Sequence, residues 1–135
     1  MARLLLLILS ILPFTIQADV VFKDAWIKNL PPSVPVRAGY MSIENTGSKA
    51  VSILSVSSKA FTNIEVHETT MKDGMMHMGS VPELTINPHS TVMLQPGGMH
   101  LMMNPNEPTQ IGDNVAITVK LSDGTQQQLN FMVKK

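Results

Sequence analysis

Beyond residue 18 the chain shows little helical periodicity. Short apolar stretches alternate with turn residues instead, the pattern of a β-sandwich or barrel. Strands are expected over residues 20–28, 38–44, 51–57, 63–67, 75–78, 91–94, 100–103, 114–121 and 127–133. Breakers stand between them: Pro31-Pro32, Asn45-Thr46-Gly47, Asp73-Gly74, Pro96-Gly97-Gly98 and Asp123-Gly124. The last two stretches give the clearest hairpin. Val115, Ile117, Val119 and Leu121 alternate with Ala116, Thr118 and Lys120, and Leu129, Phe131 and Val133 alternate likewise. Placing both apolar sets on one face requires an odd-length loop, because a one-residue slip turns every side chain over. Ser122-Asp123-Gly124, with Gly124 in the left-handed region, meets that requirement. The reading is all-β: a single antiparallel sandwich without internal repeats, with residues 29–37 and their three prolines as a long exposed loop.

Residues 1–18 read as a cleavable secretory signal, leaving residues 19–135 as the domain. Arg3 supplies the positive start, residues 4–12 an apolar run, Pro13 a break, and Gln17-Ala18 a small residue at a plausible cleavage point. That run is short for a bilayer core of about 30 Å, which takes roughly 20 residues. No stable membrane insertion is expected after cleavage, and the absence of cysteine removes an acylated anchor. Arg3 is the only charged side chain of the leader, so nine basic residues remain against ten acidic. A balance so near neutrality gives no basic field for nucleic acid and no polybasic membrane patch. Without thiols the core must hold the fold unaided, and a metal site must do without thiolates.

Methionine is the outlier. The chain has 11, and eight of them (Met71, Met75, Met76, Met78, Met93, Met99, Met102, Met103) lie between residues 71 and 103. All four histidines (His67, His77, His89, His100) lie between residues 67 and 100. Core-filling methionine has no reason to segregate with histidine, whereas a soft-metal site does. Thioether sulfur is a soft neutral donor that suits Cu(I), and imidazole is a borderline one. Zinc favours thiolate, imidazole or carboxylate, and calcium and magnesium need converging oxygens.

In His100-Leu101-Met102 the donors are two apart on an expected strand. They share one face while Leu101 and Met103 take the other. The second half of a site would come from the hairpin around Asp73-Gly74. A four-residue loop over residues 71–74 would set His67 opposite Met78; a two-residue Asp73-Gly74 turn would set Thr69 there. The sequence leaves this register open.

The spacing His67, ten residues, Met78, twenty-one residues, His100, one residue, Met102 resembles the H-x10-M-x21-H-x-M signature of the PCuAC family of periplasmic copper chaperones. Val66-His67-Glu68-Thr69, Pro96-Gly97-Gly98-Met99-His100, Asp24-Ala25-Trp26 and Ala38-Gly39-Tyr40 resemble that family's flanking segments. The likeness runs over residues 20–133. It implies a cupredoxin-like sandwich and one Cu(I) held by His67, Met78, His100 and Met102. It further implies a copper-accepting partner, such as the copper-binding subunit of cytochrome c oxidase, and other copper-assembly proteins as further partners. Lys28 stands where that family often has arginine, and Met99 where it often has an aromatic residue. Met99 adds a spare thioether, with ligand swapping or a second weakly held ion as its use.

Other residues read more plainly. His89 is a loop residue, and His77 at most an auxiliary ligand pointing away from Met78. Met41, Met93, Met103 and Met132 read as core filling, and Trp26 as sandwich packing. Met71, Met75 and Met76 are either solvent-facing metal-capture residues or part of a mobile hairpin. Glu65 and Glu68 flank His67, and hydrogen bonding to its ring is their best use. A blue-copper centre needs a cysteine. An oxidative copper enzyme needs an N-terminal histidine, where the expected terminus is Asp19, and no catalytic motif replaces it; the chain is not expected to be an enzyme. A copper storage or resistance protein of CopC-like type is the alternative, separable by whether the ion is passed on.

Overall fold

In the computed structural model, residues 19–135 and Ile11 are described; the rest of the expected leader lies outside the described residues. The described residues form ten strands. These are β1 (Val20–Lys28), β2 (Arg37–Asn45), β3 (Val51–Ser57), β4 (Phe61–Lys72) and β5 (Met75–Ser80). β6 (Leu84–Ile86), β7 (Ser90–Leu94), β8 (Met99–Pro105), β9 (Asn114–Leu121) and β10 (Gln126–Lys134) follow. Only β6 has no counterpart in the hydrophobic pattern. Its three residues sit between prolines, too few for alternation to register.

One hydrogen-bonded sheet, ordered β5-β4-β8-β7-β2-β1-β10-β9-β3-β6, folds over as a cupredoxin-like sandwich around a single core. Pairing is antiparallel except that β1 runs parallel to β10 and β7 meets β8 in parallel at Leu94–Met99. Met41 and Ile43 of β2, Leu101 and Met103 of β8, Ile117 and Val119 of β9, and Phe131 and Val133 of β10 are almost wholly buried together. The β9–β10 hairpin has the three-residue loop its alternation demands: Val119 faces Gln127, Ile117 faces Leu129, and Gly124 takes a φ of 85°.

A β-bulge in β1 redirects its second half. Lys23 pairs with Ser42 and Trp26 with Tyr40, so Asp24 and Ala25 together oppose Met41. Asp24 takes a φ of 54° there. The extra residue inverts the alternation, sending Ile27 into the core and Trp26 outward. Trp26 therefore packs against Tyr40 on the outer face, ring centroids 4.7 Å apart, and not between the sheets. Met93 and Met132 also differ from the core reading: they lie on outward positions, 49% and 45% exposed. Residues 29–36 are a loop, but Arg37 begins β2 and is buried. Its guanidinium donates to the carbonyls of Val34 and Val36 (2.9 Å each) and to Thr109 Oγ1 (2.8 Å). That binds the proline-rich loop down against the sheet.

Candidate metal site

The register of three strands decides where the donors meet. Asp73 and Gly74 both lie at positive φ, 53° and 75°, as a two-residue type I′ turn requires. Lys72 thus faces Met75, Met71 faces Met76, Thr69 faces Met78 and His67 faces Ser80. Of the two registers left open by the sequence, the tighter turn is the one formed. On the other side of β4, His67 faces His100 and Glu65 faces Met102. Residues directly opposite share a face, as do residues two apart. His67, His100, Met102 and Met78 therefore all project from the outer face of the sandwich. Met78 and Met102 are the diagonal neighbours of His67 on its two flanking strands, about 7–8 Å away between backbones and within reach of long side chains.

Strand β8 divides its chemistry by alternation. Leu101 and Met103 are fully buried in the core, while His100 and Met102 face outward. His100 is nonetheless only 6% exposed. Ala38 and Gly39 of β2 flank Met102 and Leu101, and the small residues let β8 lie close. A Cβ at Gly39 would come within 2.9 Å of Met103 Cε and 3.3 Å of Leu101 Cβ. The Pro96-Gly97-Gly98 turn, with Gly97 at φ 85°, starts the strand. Its Gly98 carbonyl accepts hydrogen bonds from Thr69 N (3.3 Å) and His100 Nδ1 (3.3 Å), tying the hairpin to the imidazole.

The two imidazoles stand with ring centroids 6.0 Å apart and planes at 47°. His100, donating through Nδ1, keeps the Nε2 lone pair free. His67 is held the opposite way. Its Nε2 donates to the Glu65 carboxylate at 2.9 Å, and this bond is the main reason the Glu65 carboxyl is held below its ordinary pKa. Its Nδ1 is buried and has no hydrogen-bond partner among the described residues. A buried nitrogen lone pair without a donor is costly in an apo protein, and a metal ion is one partner able to satisfy it. Among the described residues, histidine, cysteine and carboxylate side chains form no cluster of three or more able to hold an ion. Any ion bound between these imidazoles would draw its remaining donors from thioethers, which is the Cu(I) preference.

Beside the imidazoles lies a cavity of about 410 Å³ whose lining includes Met71, Met76, Met78, Met102, His100 and Tyr40. Val36 and Leu30 close it from the loop that Arg37 restrains. Arg37 was missed by sequence reasoning because nothing in a proline-rich stretch marks a buried cation. Met71 and Met76 join the site's face, whereas Met75 and His77 pair with Lys72 and Thr70 on the reverse. Met99 differs from the sequence reading. It alternates with His100, pairs with Glu68, and packs against the core, so it offers no spare sulfur at the site. Glu68 shares that reverse face, leaving Glu65 as the carboxylate on His67.

Residues 20–133 match the family model described as LpqE-like. The chain is 31% identical over 121 residues to "Putative lipoprotein Lxx21020" of Leifsonia xyli subsp. xyli, covering 87% of this chain and 72% of that one. The solution structure of CuI-DR1885 from Deinococcus radiodurans superposes with a TM-score of 0.69 at 33% identity, over 92% of this chain and 80% of that chain. The copper-bound PCuAC domain from PmoF2 superposes at 0.74 with 15% identity, over 87% and 93%, a likeness of fold.

Proposed function

The chain belongs to the LpqE-like family, which has the PCuAC fold, and on that premise we propose that it is an exported, envelope-associated Cu(I) chaperone. One ion is held by His67, Met78, His100 and Met102 and passed to a partner apo-protein of the periplasm, toward the copper centre of cytochrome c oxidase. The observation that carries this reading is the register: His67 opposite His100, with Met78 and Met102 diagonal to it on the same face. The solved relative at 33% identity is a Cu(I) form, which supports the choice of ion.

The chain's own residues account for the proposed behaviour. Glu65 fixes the His67 ring and leaves Nδ1 facing the ion, while the Gly98 carbonyl leaves His100 Nε2 to do the same. Neither thioether carries charge, so the ion's positive charge is not neutralised by its ligands. Met78 lies on the edge strand and is 58% exposed, so an acceptor's ligand can replace this sulfur without opening the core. Such stepwise replacement suits transfer better than storage, where enclosure would be expected. No catalytic role is proposed.

X-ray absorption on the Cu(I)-loaded protein is expected to count two sulfur and two nitrogen neighbours. A chelator competition with the double variant Met78→Ala, Met102→Ala is expected to show a large loss of Cu(I) affinity. Undiminished affinity in that variant refutes the ligand set. Failure of the loaded protein to pass its ion to an apo-oxidase copper domain refutes delivery to that acceptor.

A further inference from the structure

The β4–β5 ribbon continues past the ligand Met78 toward its turn, and its outer face carries two more thioethers. Met71 and Met76 are directly opposite each other, and they lie two residues beyond the Thr69–Met78 pair. Directly opposed side chains have Cβ atoms about 5 Å apart, so two flexible thioethers can close on a single ion from either side. Two residues of strand advance the pair by about 7 Å, within reach of Met78 but four residues along β4 from His67.

Ordinary packing does not account for these side chains. Met71 is 67% and Met76 69% exposed, yet both line the same cavity as Met78, Met102 and His100. The reverse face of the ribbon is less suitable for a cation, because Met75 there faces the ammonium-bearing Lys72. Among the described residues, no lysine or arginine lines the cavity. Soft neutral donors without a cation among them are what a monovalent soft ion requires.

We propose that Met71 and Met76 form a second, weaker site for a soft monovalent ion, contiguous with the four-ligand site and sharing Met78 with it. The inference rests on the ligand reading above and deepens it. An arriving ion is taken first by Met71 and Met76, then by Met78, and finally by the imidazoles and Met102; release follows the reverse order. Each step exchanges one neutral donor for another around an ion of unchanged oxidation state, so no electron or proton is consumed.

The test uses silver(I), a redox-inert soft monovalent ion, titrated into apoprotein labelled with carbon-13 at the methionine methyls. The first equivalent is expected to shift the Met78 and Met102 methyl signals, and the second to shift those of Met71 and Met76. The Met71→Leu, Met76→Leu variant, which keeps side-chain bulk, should retain the first step and lose the second. Unmoved Met71 and Met76 signals after two equivalents overturn the second site, as does a second step that survives in the double variant. If Met71, Met76 and Met78 respond while Met102 never does, the four-ligand reading fails and the hairpin site stands alone. The two failures are thereby distinguishable.

Discussion

Leu101 lies between the two donors of β8 but faces the core, so Leu101→Ala and Met102→Leu should have opposite consequences. Leu101 is fully buried, flanked by Val66 of β4 and Gly39 of β2. Truncation removes three carbons, worth about 2.4 kcal/mol at roughly 0.8 kcal/mol per buried methylene. Gly39 has no side chain to move into the gap, and the cavity term then raises the loss to about 3–4 kcal/mol. For the roughly 115 residues from Val20 to Lys134, an unfolding entropy near 2.1 cal/mol/K per residue gives about 0.24 kcal/mol/K, so Tm should fall by about 12–17 °C. Met102→Leu keeps its bulk on a half-buried outer position and should move Tm by no more than about 2 °C. Thermal unfolding of the apoproteins by circular dichroism measures both, without the stabilisation a bound ion would add. Cu(I) competition at low temperature, where both variants are folded, then completes the comparison. Leu101→Ala should keep its affinity within about threefold, and Met102→Leu should lose at least about tenfold. A Leu101→Ala protein that melts within 3 °C of the parent, or that loses copper as Met102→Leu does while still folded, refutes the division of β8 into a core face and a metal face.

Two further outcomes follow from single side chains. Glu65→Gln keeps an acceptor beside His67 Nε2 but removes its charge, and since Glu65 is half exposed the loss of Cu(I) affinity should lie near the lower end of a 10–100-fold range; an unchanged competition curve shows that the carboxylate's charge does not strengthen the His67 ligand. Tyr40, the chain's one tyrosine, has its phenol pKa raised above 10.0 by burial, so its contribution to stability is complete below pH 10 and lost as pH climbs through the folded value. Tyrosinate absorbance of the apoprotein should report a midpoint above 10.0, and one at or below it contradicts the packing of Tyr40 beneath Trp26.

Some of this molecule is dictated locally and some is not. Alternation in residues 115–133 sets both the face and the loop length of the β9–β10 hairpin, because a two-residue period admits one solution once Gly124 supplies the left-handed turn. Asp73-Gly74 likewise favours the tight turn, and the spacing of His100 and Met102 forces them onto one face wherever β8 lies. The clustering of methionine and histidine pointed to soft-metal chemistry before any fold was known. The pairing of β4 with β8 could not be read this way. Whether His67 faces His100 depends on the non-local β4–β8 register, fixed by hydrogen bonds between residues far apart in sequence. The bulge at Asp24 and Ala25 inverted the expected position of Trp26, because one inserted residue outweighs any periodicity. Met99 shared the composition of the cluster without sharing its face, and Met93 shares the outer face but lies opposite Ser42, away from the imidazoles. Which donor atom of each imidazole is free was decided only by the Glu65 carboxylate and the Gly98 carbonyl beside them. Sequence thus specifies which side chains alternate together, and tertiary pairing specifies which alternating faces meet.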